Sequence, residues 1–380
     1  MRETSVLIVG ASISGLASAA CLQKKGIAYI IIEKEAQIAV PWRNHYDRLH
    51  LHTPKGLSAL PYKKFGGVVP CYPTRQQVVE YLGDYQAAFG IQPVFATEAR
   101  SIRKEGHHWV TETNNGVIRS KYVIIATGPF GKPKPVYFKG METYTGKLLH
   151  SYGYKTGRDF EGQRVLVVGF GNSACEIAID LYEQGADPSM AVRSPVNIVP
   201  RDLFGIPILR ISLLLSRLPV RLADAIAAPL MRLLLGDISQ LGLKKKQYGV
   251  FEAFKKEGNA PVLDIGTLHL IRGGHIRVHD GIDRIEGETV HFSDGRKEDF
   301  DAIVAAVGYD RNYAEILSVD KERFEDLKMP VGRQRYFGQD GLYFCGFWVG
   351  PTGQIREIAL DAKRIARDIG KSRLPGRKKQ

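Results

Sequence analysis

The sequence has little cysteine and no long uncharged run, and each shortage removes a class of protein. Its four cysteines, Cys21, Cys71, Cys175 and Cys345, lie far apart in 380 residues and form no CxxC. A disulfide-stapled fold and a dithiol redox centre are thereby excluded, and a reducing compartment is expected. Cys21 and Cys175 fall in helical patterns and read as packing residues. No window of about twenty residues is free of charge, so no transmembrane helix is expected. Met1 leads directly into a strand pattern, so no cleavable signal peptide is expected and the location is read as cytoplasmic. His45, His50 and His52 are close in sequence, but no further ligands at metal-binding spacing accompany them, so no metal is expected.

What the chain does have is apolar residues, glycine and positive charge. At 44% hydrophobic it can bury a substantial core and should form two domains, or one with a large insertion. Forty glycines suit an α/β protein with many tight turns between strand and helix. The 53 basic and 40 acidic residues leave a net charge of +13. The basic residues are spread along the chain, with their tightest cluster in the last ten positions. Solubility and small anionic ligands account for such a distribution without nucleic acid.

Two stretches carry the same signature. Ser5 to Val9 is a buried β-run followed by Gly10-Ala11-Ser12-Ile13-Ser14-Gly15, a helix pattern, and the strand Ile30 to Ile32 ending in Glu33, eighteen residues after Gly15. The first glycine permits a tight turn, and the last brings helix and strand together. The helix N-terminus faces a pyrophosphate, and the acid accepts hydrogen bonds from a ribose. Ser12 occupies the middle glycine position, where its hydroxyl can donate to phosphate. In mid-chain Val165 to Val168 precedes Gly169-Phe170-Gly171-Asn172-Ser173-Ala174. There the next strand, Met190 to Val192, closes on Arg193-Ser194 instead of an acid. A guanidinium at that place matches a ribose 2′-phosphate, so NADPH is favoured over NADH. Two dinucleotides in one chain imply that electrons pass between them.

The rest follows in order. Thr74 reads as the N-cap of a helix from Arg75 to Phe89. Phe95 to Val117, with the turn Asn114-Asn115-Gly116, reads as a β-meander hairpin. Tyr122 to Ala126 and Asp301 to Val307 are buried strands, each ending in glycine, at Gly128 and Gly308. Short strands at 261–265, 275–278 and 289–292 are expected to return to the nucleotide core. The leucine-rich region 203–236 is interrupted by arginines and by Pro207, Pro219 and Pro229, which are expected to break it. It reads as a helical insertion over the active site or as a basic amphipathic segment on a membrane surface. Gly341 to Phe344 is expected as the last core strand, before the loop Trp348 to Pro351 and a helix from Ile355 to Ile369. Lys371 to Gln380 reads as a basic disordered tail.

Further matches are Tyr46-Asp47-Arg48-Leu49-His50-Leu51-His52, Leu218 to Asp224, Pro261 to Gly266, and the spacing Tyr144, Gly146, His150, Tyr154 as a form of FxGxxxHxxxY. With the two glycine turns and Ala126-Thr127-Gly128, these make the chain resemble the class B flavin-dependent monooxygenases, most closely the YUCCA-type flavin-containing monooxygenases, over nearly its whole length. Tyr154 stands where Baeyer–Villiger members carry tryptophan, which argues against that branch. Tyr144 in place of phenylalanine, Val307 in place of threonine and the segment Pro351 to Glu357 depart from the pattern and bear on substrate identity.

The resemblance implies two Rossmann-like α/β domains: an FAD domain, 1–155 and 300–370, and an NADPH domain, 156–299, with a helical insertion at 203–258. It implies an FAD-containing, NADPH- and O2-dependent monooxygenase acting through a flavin C4a-hydroperoxide, with no side-chain nucleophile. The reaction would be oxidative decarboxylation of an aryl 2-oxo acid such as indole-3-pyruvate, or N- or S-oxygenation of a small molecule. An NAD(P)H:quinone-type flavin reductase and a non-catalytic FAD redox sensor are the alternatives. Gly10, Ala11, Ser12, Ile13, Ser14, Gly15, Glu33, Lys34, Trp42, Arg43, Leu49, His52, Thr53, Ala126, Thr127 and Gly128 are expected at FAD, with His50 and His52 walling the flavin pocket. Gly169 to Ala174, Arg193, Ser194, Val307, Gly308 and Tyr309 are expected at the nucleotides, most of them at NADPH. His150 is expected to shape the link between the domains rather than move a proton, and Gln354 to reach the flavin ring edge.

Overall fold

The computed structural model describes residues 1–257, 260–310, 317, 339–347, 350 and 353–371. Its chain divides into two compact units, Met1–Arg43 with Thr53–Lys132 and Tyr309–Gln380, and Asn44–His52 with Pro133–Gly308.

The first unit opens with β1 (Arg2–Val9), α1 (Ile13–Gln23) and β2 (Tyr29–Ile32). Helix α2 (Arg75–Ala88) starts at Thr74, whose hydroxyl accepts the Gln77 N–H while the Gln77 side chain accepts the Thr74 N–H. This reciprocal cap stabilises the helix by about 1 kcal/mol. Strands β3 (Ala99–Glu105), β4 (His108–Thr113) and β5 (Gly116–Ile125) form an antiparallel meander. β1 lies between β2 and β5, parallel to both, so Val6, Leu7 and Ile8 are wholly buried. Burial on both faces is why that run is continuously apolar and does not alternate.

The second unit takes up β6 (Lys147–His150), β7 (Arg164–Val168), α3 (Asn172–Glu183) and β8 (Asp187–Ala191). It continues through β9 (Ile198–Pro200) and the small hairpin β10 (Asp202–Leu203) and β11 (Ile206–Pro207). The helices α4 (Ile208–Leu215), α5 (Val220–Leu235) and α6 (Val250–Glu257) follow. Next come β12 (Val262–Asp264), α7 (Thr267–Arg272), β13 (Arg277–His279), β14 (Ile282–Glu286), β15 (Thr289–Phe292), β16 (Lys297–Asp299) and β17 (Ala302–Ala305). The central sheet runs β13-β8-β7-β17-β6, parallel throughout. The chain then returns to the first unit. There β18 (Leu342–Phe344) pairs with the end of β5, and α8 (Gln354–Lys371) packs on α1.

Several expectations are corrected in detail. Of the three short strands expected to rejoin the nucleotide core, only β13 does so. β12 pairs with β9, and β15 belongs to a separate three-stranded antiparallel sheet. Pro207 and Pro219 precede α4 and α5 as their N-caps, where a missing N–H costs nothing, whereas Pro229 lies inside α5 without ending it. The unit boundary lies at Lys132/Pro133 and Gly308/Tyr309, not at 155/156 and 299/300, because β6 and β17 are neighbours in the second sheet. Trp348, Pro351 and residues 372–380 lie outside the described residues.

Cys21 and Cys175 are buried in α1 and α3, and Cys345 is buried after β18. Burial pushes the Cys21 thiol up to about 11 and that of Cys175 to about 12, so both pack as small apolar groups.

Candidate functional site

Each unit carries the same construction where its first nucleotide-type strand ends. After β1, Gly10 has φ +105°, its N–H donates to Ile32 O at 2.8 Å, and a methyl group on it would lie 2.9 Å from Ala126 O. After β7, Gly169 has φ +118°, its N–H donates to Ala191 O at 2.9 Å, and a methyl group would lie 2.8 Å from Ala306 O. Both positions therefore exclude any side chain. At Gly15 an added methyl would meet Gly10 O at 1.9 Å, so α1 sits directly on its turn.

Gly171 is different. Its φ of −87° suits any residue, and nothing lies within 4 Å of where a methyl would go. The fold does not require glycine there, and the open space beside it is a cradle that a side chain would fill. Ser12 holds the same place in the first unit with φ −98°, and its hydroxyl has no hydrogen-bond partner among the described residues. No side chain caps α1 or α3, so their first N–H groups and the positive end of each helix dipole remain free for an anion. Both turns fit a dinucleotide pyrophosphate.

Around the first turn, Glu33 ends β2 with Oε2 accepting the Ala11 N–H at 2.7 Å and Oε1 accepting the Glu35 N–H at 3.2 Å. Lys34 is exposed and lies 3.8 Å from Glu35. Ile13 and Ser14 are buried in α1. Ala126 backs Gly10, with Thr127 and Gly128 (φ +77°) following it. Trp42 and Arg43 share a short helix, Val40–Asn44, in which Arg43 Nε donates to Ile38 O at 3.3 Å and the Arg43 carbonyl accepts from Arg75 at 2.7 Å. Thr53 Oγ1 is 2.5 Å from Ser58 Oγ, and a methyl on Gly353 would come within 2.6 Å of Thr53. Gln354 opens α8 and donates to Gly346 O at 3.1 Å. Tyr309 meets the Phe130 ring edge-on at 6.0 Å.

Around the second turn, Phe170 and Ala174 are buried in the core, and Asn172 Oδ1 accepts the Leu263 N–H at 2.9 Å, tying β12 to the helix start. Ser173 follows in the first turn of α3. Arg193 and Ser194 are exposed just beyond β8. A methyl on Gly281 would press on the Arg193 stem at 3.0 Å, so the glycine makes room for that side chain. The Arg193 guanidinium has no partner among the described residues. Val307 and Gly308 close β17, with Gly308 at φ +91°.

The fingerprint residues flank β6, with His150 as its last residue. The Tyr144 hydroxyl donates to Phe300 O at 2.9 Å, a bond that phenylalanine would not make. A methyl on Gly146 would sit 2.5 Å from Asp301 O. The Tyr154 hydroxyl donates to Asp180 Oδ2 at 2.6 Å, and burial together with that carboxylate pushes its pKa up. His150 Nδ1 accepts the Tyr152 N–H at 3.0 Å, which leaves Nε2 as the donor to Gly308 O, also at 3.0 Å. The imidazole is thus a neutral tautomer fixed from both sides, and burial lowers its pKa. The folded protein binds this proton less readily than the unfolded chain. Its contribution to stability is therefore intact above the ordinary histidine pKa of 6.5 and lost as pH falls below it. Melting temperature should drop between pH 7 and pH 5 in the native protein and drop less in His150→Gln, read by calorimetry.

One set of residues was not recognised from the sequence. Helix α3 turns Glu176, Asp180 and Glu183, spaced i, i+4, i+7, onto one face. Glu176 is fully buried and accepts from Tyr46 at 2.6 Å and from His52 at 2.7 Å. Asp180 takes the Tyr154 hydroxyl and the Gly157 N–H, while Glu183 takes Arg48 through two bonds at 2.7 and 2.9 Å. Leu49 packs on the second unit's core. Residues 44–52, Leu49 and His52 among them, group with the second unit as a nine-residue strap, and His50 Nδ1 lies against Arg48 O at 2.6 Å. Among the described residues no group of three or more His, Cys, Asp or Glu side chains is placed to hold a metal, and no helix is long and apolar enough to cross a membrane.

Comparison with known proteins agrees with this geometry. The pyridine nucleotide-disulphide oxidoreductase family profile matches residues 7–201. The indole-3-pyruvate monooxygenase YUCCA6 of Arabidopsis thaliana is 40% identical, over 97% of this chain and 90% of its own length. Indole-3-pyruvate monooxygenase YUCCA1 of Oryza sativa is 37% identical, over 97% of this chain and 92% of its own. The solved flavin-containing monooxygenase of Stenotrophomonas maltophilia shares the fold at a TM-score of 0.72 and 20% identity, covering 98% of this chain and 99% of that one. With two glycine turns, each following a parallel strand of its own sheet, and relatives this similar over almost all of its length, the chain belongs to the YUCCA-type flavin-containing monooxygenases, oxidoreductases whose cofactors are FAD and NADPH.

Proposed function

We propose that the first unit holds FAD and the second NADPH, and that the substrate is an aryl 2-oxo acid such as indole-3-pyruvate. The observation that carries the substrate reading is the naming of the 40% and 37% identical relatives as indole-3-pyruvate monooxygenases. In the first unit the Gly10–Gly15 turn, the free end of α1 and the Ser12 hydroxyl bind the FAD pyrophosphate, and Glu33 receives the ribose. In the second unit Gly171 lets the backbone approach the NADPH pyrophosphate at the start of α3. Arg193, with a guanidinium unpartnered among the described residues and a stem accommodated by Gly281, meets the 2′-phosphate. His150 holds Gly308 in place as a neutral hydrogen-bond donor and moves no proton. When bound, the flavin supplies the redox chemistry, accepting hydride from NADPH and activating O2.

The net reaction consumes the 2-oxo acid, O2, NADPH and a proton, and yields the arylacetic acid, CO2, NADP⁺ and water. The test is to supply indole-3-pyruvate, NADPH and ¹⁸O2 to the purified yellow protein and to analyse products by mass spectrometry. One ¹⁸O atom should appear in the indole-3-acetate carboxylate, with NADPH consumed in equal amount. Oxidation of NADPH with release of hydrogen peroxide alone would remove this substrate, and transfer of the label to an amine or sulfide would assign N- or S-oxygenation. Reduction of a quinone without incorporation of label would favour the reductase reading.

A further inference from the structure

Exposed large apolar side chains are unevenly distributed. Fourteen are exposed among the described residues, and seven of them, Phe204, Ile206, Leu214, Leu218, Leu222, Ile226 and Leu233, fall within thirty residues of the second unit. On α5 the pattern is regular. Leu222, Ile226, Pro229 and Leu233, spaced i, i+4, i+7, i+11, are all exposed and line one stripe about 17 Å long. Arg221, Ala225, Ala228 and Arg232 have the same spacing, are also exposed, and form the stripe beside it.

The opposite face of the helix holds it to the second unit. Ala223 is buried, and the Asp224 carboxylate accepts the Phe251 and Glu252 N–H groups at the start of α6, each at 2.9 Å. The apolar stripe is therefore not an inner face left uncovered by loose packing. Arg210 and Arg217 add exposed charge on and after α4, and the stripes contain no acidic residue. None of the four guanidinium groups has a hydrogen-bond or ion-pair partner among the described residues.

We propose that this face of α5 docks on an anionic phospholipid surface, with the leucine stripe in the acyl boundary and the arginines among the headgroup phosphates. Leucine and isoleucine flanked by arginine along one side of a helix is the arrangement that lies in a lipid interface. The arginines decide between occupants. A second copy of the same face, related by a two-fold axis, would bring arginine stripe onto arginine stripe, and the nearest acids, Glu252 beside Arg221 and Asp237 beside Arg232, lie off the stripes. An anionic headgroup layer balances the Arg221 and Arg232 charges along the whole stripe.

The experiment is flotation of the purified holoprotein with vesicles of phosphatidylcholine containing phosphatidylglycerol, in parallel with phosphatidylcholine alone. The protein should float at least about tenfold more with the anionic vesicles, and added salt should reduce the difference. The double variant Ile226→Glu, Leu233→Glu should lose flotation by about tenfold while keeping its flavin content, melting temperature and NADPH oxidation, because both side chains already face water. Arg221→Glu, Arg232→Glu should abolish the preference for anionic vesicles. Equal recovery with both vesicle types, or flotation of the double variant like the native protein, would overturn the proposal. So would a self-associated form, seen by analytical ultracentrifugation without vesicles, that the same substitutions dissociate; that result would assign the face to a second copy.

Discussion

Arg193→Ala should raise the KM for NADPH by about tenfold or more and leave that for NADH within about twofold. The side chain stands exposed past the end of β8, its guanidinium unpartnered among the described residues. An alanine there thus removes no hydrogen bond or ion pair of the fold, only the packing of the stem on Gly281. What is lost is a charge-assisted fork on a phosphate that only NADPH carries, so the two nucleotides should separate in KM with kcat nearly unchanged. Arg193→Lys should recover part of the NADPH affinity, because a point charge remains without the planar fork. Steady-state kinetics with both nucleotides decides the matter, and equal effects on the two would remove the 2′-phosphate from this position.

The second large effect comes from two glycines in one turn. Gly171→Ala should leave the melting temperature within a few degrees, since φ −87° suits alanine and no atom lies within 4 Å of the new methyl. Some loss is expected, because alanine is a poorer N-cap than glycine by about 1 kcal/mol. NADPH binding should nevertheless fall by about a hundredfold, because the methyl occupies the space a pyrophosphate needs. Gly169→Ala should do the reverse in kind. With φ +118° and a contact of 2.8 Å to Ala306 O, it strains the backbone and destabilises the unit before any ligand is present. Calorimetry and NADPH titration on both variants separate the two roles. A Gly171→Ala protein that binds NADPH normally would show that the open side of the turn faces no cofactor.

The difference between these glycines also marks how far the sequence could be read. Strand, glycine turn, helix, strand and closing residue are local patterns with fixed spacings, so both nucleotide folds were legible from residues 5–33 and 165–193. The Thr74 cap and the Asn114-Asn115-Gly116 turn were legible for the same reason: their partners lie within a few positions. The face of α3 was not. Glu176, Asp180 and Glu183 look like the solvent side of a helix, and their i, i+4, i+7 spacing places them on one face without showing that it is buried. Their partners Tyr46, Arg48 and His52 lie 124 to 135 residues away in sequence. No window-based pattern links positions that far apart. His52, expected as a wall of the flavin pocket, bonds a buried carboxylate that its own neighbourhood in the sequence does not announce. The affiliation of β6 and β17 was misplaced for a similar cause, since strand order is settled by pairing across the sheet and not by position along the chain.

The strap has a consequence for how the protein is made. Synthesis delivers residues 44–52 early, yet their anchors on α3 emerge only after a further 124 residues or more, at about 5–20 residues per second. Until then Tyr46 and His52 have no Glu176 to bind, and the early chain must wait with its tether unfastened. Assembly of the two halves is thus interleaved in time, and a ribosome-bound fragment ending before α3 should behave as an incomplete protein and not as a finished first half.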